Sequence, residues 1–330
     1  MKDIIYIYGV ATLLMSILTI LGNVMIIFAF QQERSLRARP SNLLILAVSI
    51  SDLIYGIHLF VYFGITISGY PYGEIGCMIS VFTEYTYIIS NILLVAISLD
   101  RLLLVSLSYS KYTKWQSKSR IKLQISICYA IGITTSIVEV SLWNYAKRVK
   151  TIAASINFNL YCLYPARRMK SYGIFVTIGY FCIPVVMVTF LCAVFFALLR
   201  LRIKKTRQIS CSSISGTQSN EQFTVSTQGD VQDNDDDENR SVVRKRYLKP
   251  AITLAALVTA MSLSSLPYCT YTIVVAVRPE LNSFEVIHIM LLIAQLNPLL
   301  DPVFYGATQR SIQEYYKKKF AKILQYLNLI

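Results

Sequence analysis

Residues 286–305 read VIHIMLLIAQLNPLLDPVFY. A helix needs about 20 apolar residues to cross the roughly 30 Å hydrocarbon core of a bilayer. This stretch has that length, and Asp301 is its one formally charged residue. A carboxylate inside such a run is costly, and Pro302 removes a helical N–H. A run that keeps both despite those costs reads as a membrane helix with a task beyond spanning.

Six further stretches match it in length and apolarity: Tyr6–Phe30, Asn42–Ile67, Cys77–Leu104, Ile121–Trp143, Tyr172–Leu199 and Leu248–Val277. The predicted fold class is therefore all-α, a seven-transmembrane helix bundle over residues 6–305 with no internal repeat. Composition agrees. The 330 residues are 55% hydrophobic and only 15% charged, where soluble domains carry roughly 25%. Mean hydropathy is +0.51. The net charge of +14 does not point to nucleic acid, because basicity on such an apolar chain belongs in loops.

Those loops set the orientation. Of the 32 Lys and Arg, 24 fall on the side that receives Arg34–Arg39, Arg101, Lys111–Lys122, residues 200–249 and the tail. The excess of cations predicts that this side is cytoplasmic. Residues 1–5 are then an extracellular N-terminus too short to capture a ligand, and residues 306–330 a cytoplasmic tail. The first run lacks a basic leader and a small-residue cleavage site, so it is expected to be a span rather than a signal peptide. Residues 208–238 are rich in Ser, Thr, Gln, Asn and Asp and read as a disordered loop, with Ser210–Thr227 open to phosphorylation. In the tail, Ile312, Tyr316, Phe320, Ile323 and Leu327 recur every three to four residues among Lys317, Lys318, Lys319 and Lys322. That spacing predicts a short amphipathic eighth helix on an anionic leaflet.

Four acids lie inside spans, Asp52, Glu84, Glu139 and Asp301, and Asp100 and Arg101 adjoin at one end of the third. Intramembrane ionisable groups are functional by default. Tyr305 falls one turn beyond Asp301 on the same face. Pro267 and Pro302 each predict a kink.

Taken in order, the motifs resemble the rhodopsin-like (class A) G-protein-coupled receptors. They are Gly22-Asn23, Asn42 to Asp52, Asp100-Arg101-Leu102, Pro184, Pro267 and Asn297 to Tyr305. The resemblance covers the chain apart from residues 208–238. It implies that Asp100 holds Arg101 at rest, and that Arg101 meets a heterotrimeric G protein when the sixth helix swings about Pro267. It further implies roles in activation for Asp301, Pro302 and Tyr305, a sodium site at Asp52, Ser90, Asn297 and Asp301, and a disulfide between Cys77 and Cys162. Receptor kinase, arrestin and the lipid bilayer are the further partners it implies. No cofactor is expected beyond an allosteric sodium ion.

The resemblance leaves the ligand open. Glu84 lies near the position where amine receptors pair an acid with an ammonium, but the spacing from Arg101 places Thr83 there instead. Ser265 stands where an aromatic switch is usual, Gln295 where a Tyr is usual, and Tyr129 where a Trp is usual. Val176 and Tyr180 stand near the serines of catecholamine receptors. Tyr87, Tyr180 and Tyr268 complete the expected ligand floor with Thr83, Glu84 and Gln295. The second outer loop carries Lys147, Arg148, Lys150, Arg167, Arg168 and Lys170 with no acid among them, a rim suited to an acidic peptide. Neuropeptide and biogenic amine are thus the two ligand classes. An enzyme is not indicated: the two His have no metal-ligand spacing, and no phosphate loop or nucleophile elbow occurs. A transporter would leave the end-of-span motifs unexplained. Glu285–Tyr305 contains no Lys to hold retinal covalently.

Overall fold

The computed structural model describes residues 2–68, 74–148, 174–175, 177–215 and 249–326. Seven of its helices are long and apolar enough to cross a membrane, by length and composition. Helix α1 spans Lys2–Gln32 and is followed by a short α2, Arg34–Ala38. Next come α3, Asn42–Ser68; α4, Glu74–Ser106; the short α5, Tyr109–Trp115; and α6, Lys118–Arg148. The fifth span is α7, Ile183–Ser215, and the sixth is α8, Lys249–Val277. The seventh is split into α9, Phe284–Ala294, and α10, Leu296–Thr308, and α11, Arg310–Tyr326, closes the chain. The all-α bundle expected from the sequence is what forms.

Helix α4 is the central post. It packs against α3, α6, α7 and α8, while α1 packs on α3 and α10. Close approach needs small residues. A Cβ on Gly22 would stand 3.1 Å from both Cβ and Cγ of Pro302, so the Gly lets α1 touch the seventh span at its proline. A Cβ on Gly132 would fall 2.2 Å from Cγ1 of Ile89, so that Gly lets α6 lie flush on α4.

Two of the prolines act where the chain irregularities fall. Pro184 cannot bond the carbonyl four residues back, and its ring crowds that oxygen. A wide π-helical turn over Ile178–Cys182 opens the chain there before α7 begins. Pro298 does the same to Ala294, and the seventh span breaks at Gln295, the residue between α9 and α10. By contrast α8 continues through Pro267.

The core has two parts. The larger joins Phe30, Leu44, Leu93, Phe195, Leu254, Met261 and Tyr305, around the half of the bundle that ends at Arg101. The smaller gathers Tyr85, Tyr87, Ile88, Tyr268, Cys269 and Ala294 in the opposite half. The last helix docks on the Arg101 end. Ile312 and Tyr315 are buried, and Tyr316 closes on Gly306, where a Cβ would meet its ring at 2.9 Å. Lys318 Nζ lies 3.3 Å from Glu33 Oε1 across the gap to α1. Burial pushes the Tyr316 phenol up to about 12, with neighbouring Tyr315 adding to the rise.

Candidate functional site

The site is a column of polar side chains inside the bundle, in three levels. At the upper level, farthest from Arg101, tyrosines from several spans converge. Tyr87 on α4 stacks against Tyr55 on α3, ring centroids 5.3 Å apart. Its hydroxyl lies 3.3 Å from Ser265 Oγ on α8 and donates to the Ala294 carbonyl of the seventh span, also at 3.3 Å. Tyr268 and Gln295 are buried beside it, 2% and 3% exposed. Tyr8 meets His288 edge to face at 4.5 Å. Tyr271 fastens the turn before α9, since its hydroxyl accepts from Ser283 N at 2.8 Å and donates to the Ser283 carbonyl at 3.0 Å.

At the middle level sit Asp52 and Asp301, both fully buried and in electrostatic contact. Ser90, Asn91 and Asn297 are buried with them. The carboxylate oxygens of both acids, Ser90 Oγ and Asn297 Oδ1 have no hydrogen-bond partner. Asn297 Nδ2 donates to Asn91 Oδ1 at 3.5 Å. Buried oxygens left open in this way are expensive. Two adjacent carboxylates in a dry interior cannot both stay charged without a cation or a shared proton. Oxygen donors alone suit a hard cation. The residues present therefore fit a sodium ion by their chemistry. Among the described residues, no three His, Cys, Asp or Glu gather to hold another metal.

At the lower level Asp100 and Arg101 form a close pair, Oδ2 to Nη1 3.6 Å, 5% and 11% exposed. Asp100 also accepts from Gln116 and, at 3.4 Å, from the Tyr112 hydroxyl. Burial, then the Asp100 charge, pushes the Tyr112 phenol above its ordinary value, so it remains a donor. Arg202 donates to the Leu107 carbonyl at 2.8 Å and ties the fifth span to the end of the third. Tyr305 lies one turn from Asp301, fully buried, its hydroxyl without a partner.

The arrangement brings Asp52, Ser90, Asn297, Asp301 and Tyr305 into one column, and Tyr87, Tyr268 and Gln295 into its upper end. Pro267 lies in α8, two residues beyond Ser265, and Pro302 faces Gly22. Cys162 and the basic residues 150–170 lie outside the described residues, as do the side chains of Cys77, Thr83, Glu84 and Tyr180. Cys128, Cys192 and Cys269 are buried and Cys182 half-buried, and none of these four is in a disulfide. Sequence reasoning gave no role to Asn91, although an amide one turn past Tyr87 inside an apolar run was a signal. It also flagged Glu139 without finding its partner, the Tyr85 hydroxyl, which donates to it. Tyr129 fills the fourth-span aromatic position and bonds Ser51 Oγ at 2.9 Å and the Ala47 carbonyl at 3.1 Å.

Residues 22–305 match the family described as "7 transmembrane receptor (rhodopsin family)". The chain is 20% identical over 318 residues to a melatonin receptor type 1B-B of Danio rerio, covering 94% of this chain and 79% of that one. It is 35% identical over 123 residues to a probable muscarinic acetylcholine receptor of Caenorhabditis elegans, over 36% of this chain but only 17% of that receptor. A melanopsin of Phodopus sungorus is 36% identical over 104 residues, 31% of this chain and 22% of its own length. With its seven apolar helices and the family match over most of its length, the chain belongs to the rhodopsin family of seven transmembrane receptors.

Proposed function

We propose that the chain is a plasma-membrane receptor that binds an extracellular ligand at the tyrosine level and activates a heterotrimeric G protein at the Arg101 level. The observation that supports it most is the polar column itself. Side chains that cost free energy in lipid run from Tyr87 through Asp52 and Asp301 toward Tyr305 and Arg101, inside the bundle and between its two ends. Ligand binding shifts the population toward a state in which the sixth span moves about Pro267 and Asp100 releases Arg101. The ligand supplies only its differential affinity for the two states.

The N-terminus is extracellular in this reading and the tail cytoplasmic, with 24 of 32 Lys and Arg on the inner side. Sodium at Asp52, Ser90, Asn297 and Asp301 favours the resting state. Cys77 and Cys162 form a disulfide that ties the second outer loop to the third span. Receptor kinase and arrestin act on the loop of residues 208–238.

The ligand is a neuropeptide with acidic or C-terminal carboxylate groups, which the basic residues of the second outer loop attract. A second reading, a biogenic amine paired with Glu84, is favoured by the likeness to a probable muscarinic acetylcholine receptor. A panel of neuropeptides and amines, read by one second messenger in cells at matched surface expression, separates the two. Under the peptide reading an agonist loses potency when Arg167, Arg168 and Lys170 are changed to Glu. Under the amine reading it loses potency in Glu84→Gln and ignores the loop.

A further inference from the structure

The first span carries a line of polar residues outside the column described above. Tyr8, Thr12, Ser16, Thr19 and Asn23 recur every three or four residues and so share one face of α1. Thr12, Ser16, Thr19 and Asn23 are fully buried. The opposite face is apolar and open, with Leu14, Leu18 and Leu21 exposed at 57%, 54% and 56%. The line faces the second and seventh spans. At its upper end Tyr8 meets His288 of α9, and Gln295 lies two turns below His288 on the same face. In the middle, Cγ2 of Thr19 lies 3.2 Å from where a Cβ on Gly56 of α3 would stand. Asp52 is one turn from Gly56 along α3. At the lower end Asn23 reaches the Pro298 carbonyl.

Polar side chains that only hold membrane helices together bond across the interface. Thr12 and Ser16 do not. Thr12 Oγ1 has no hydrogen-bond partner, and the Ser16 hydroxyl turns back to its own helix, donating to Leu13 O at 2.7 Å. Asn23 Oδ1 and Gln295 Oε1 are buried and unpartnered as well. Oxygens this deep in an apolar bundle are costly unless water or an ion reaches them. We propose that the line is a hydrated seam between the first, second and seventh spans. Through it a monovalent cation passes from the end away from Arg101 to Asp52 and Asp301, by way of Tyr8 rather than Tyr87. A ligand seated on Tyr87 and Tyr268 then leaves the ion free to exchange. The inference deepens the sodium reading and rests on it only for the identity of the ion.

The test uses the purified full chain in lipid nanodiscs and silver ion, a thiol-reactive monovalent cation close to sodium in size. Thr12→Cys, Ser16→Cys and Thr19→Cys proteins, each shown to be folded by its melt, are treated with silver nitrate in chloride-free buffer. They are then unfolded and alkylated, and each thiol is read in its own peptide. No native Cys precedes Cys77, so the α1 signal belongs to the introduced residue. Silver should block these three about tenfold faster than Leu14→Cys or Leu18→Cys, where the ion must shed its water into lipid. Equal rates on the two faces overturn the proposal. Ser16→Leu fills the seam with an apolar side chain and should slow the blocking of Thr19→Cys about tenfold. Ser16→Val is the milder filler if that protein does not fold. An unchanged rate at Thr19→Cys overturns the route. If the seam reacts while sodium chloride leaves the wild-type melting temperature unmoved, the seam stands and the sodium reading falls. If sodium raises that temperature and no seam position reacts, the sodium reading stands and the seam falls.

Discussion

The side-chain amide of Asn23 donates to the carbonyl of Pro298 at 3.2 Å, the oxygen that Pro302 leaves without a helical N–H. It also donates to Thr19 O at 3.0 Å on its own helix. A proline in one span is therefore matched by an amide in another, and Gly22 beside it gives the clearance. Asn23→Leu should cost about 1–3 kcal/mol, because a buried carbonyl loses its donor. Pro302→Ala restores the N–H and should recover part of that loss in the double variant. Thermal melts of the four proteins check this, and equal losses in Asn23→Leu with and without Pro302 would argue against it.

The Tyr85–Glu139 hydrogen bond is a second buried pair with a readable cost. Both residues are buried, at 3% and 6% exposure, on the third and fourth spans. Tyr85→Phe removes a donor from a buried acid and should destabilise by about 1–3 kcal/mol. Adding Glu139→Leu removes the group that needed it, and the double variant should melt above Tyr85→Phe alone. A double variant that melts lower would refute the pairing.

The open oxygens around Asp52 and Asp301 make a prediction about salt. A ligand that binds only the folded state stabilises it by RT ln(1 + [L]/Kd), about 1.4 kcal/mol at a tenfold excess over Kd. Wild type should melt higher in sodium chloride than in the chloride of a large organic cation at equal ionic strength. Asp52→Asn and Asp301→Asn should lose that difference. If both variants keep it, sodium acts elsewhere.

Packing of the fourth span on the third hinges on Gly132. A Cβ there would stand 2.2 Å and 2.6 Å from Cγ1 and Cδ1 of Ile89. Gly132→Leu overpacks this contact and should cost about 1–3 kcal/mol. Ile89→Ala makes room and should rescue the larger residue in a melting experiment, whereas Ile89→Ala alone is destabilising.

Hydropathy made the spans legible because twenty apolar residues in a row have few alternatives to a bilayer. The sequence reading set the sixth span at Leu248–Val277, and α8 begins one residue later. The apolar spacing of the tail runs from Ile312 to Leu327, and α11 spans Arg310–Tyr326. The break at Gln295 was not read. Pro298 lies three residues beyond it, and the Tyr87 hydroxyl that meets the adjoining Ala294 carbonyl comes from 207 residues away in sequence. The short helices α2 and α5 were also missed, since five and seven residues are too few for a periodic signal. In the column, acids stood out because lipid makes any acid conspicuous. Asn91 did not, because a single amide shows its partners only once α4 and α10 are side by side.

The central claim is that a ligand at the tyrosine level acts on a G protein through Arg101. The most direct measurement is nucleotide exchange on purified heterotrimers added to membranes that hold the full chain, with a panel of amines and neuropeptides. The account expects at least one compound to accelerate exchange, and Arg101→Ala to abolish the acceleration while that compound still binds. Ligand-driven ion flux with no acceleration of exchange, or acceleration that survives Arg101→Ala undiminished, would contradict it.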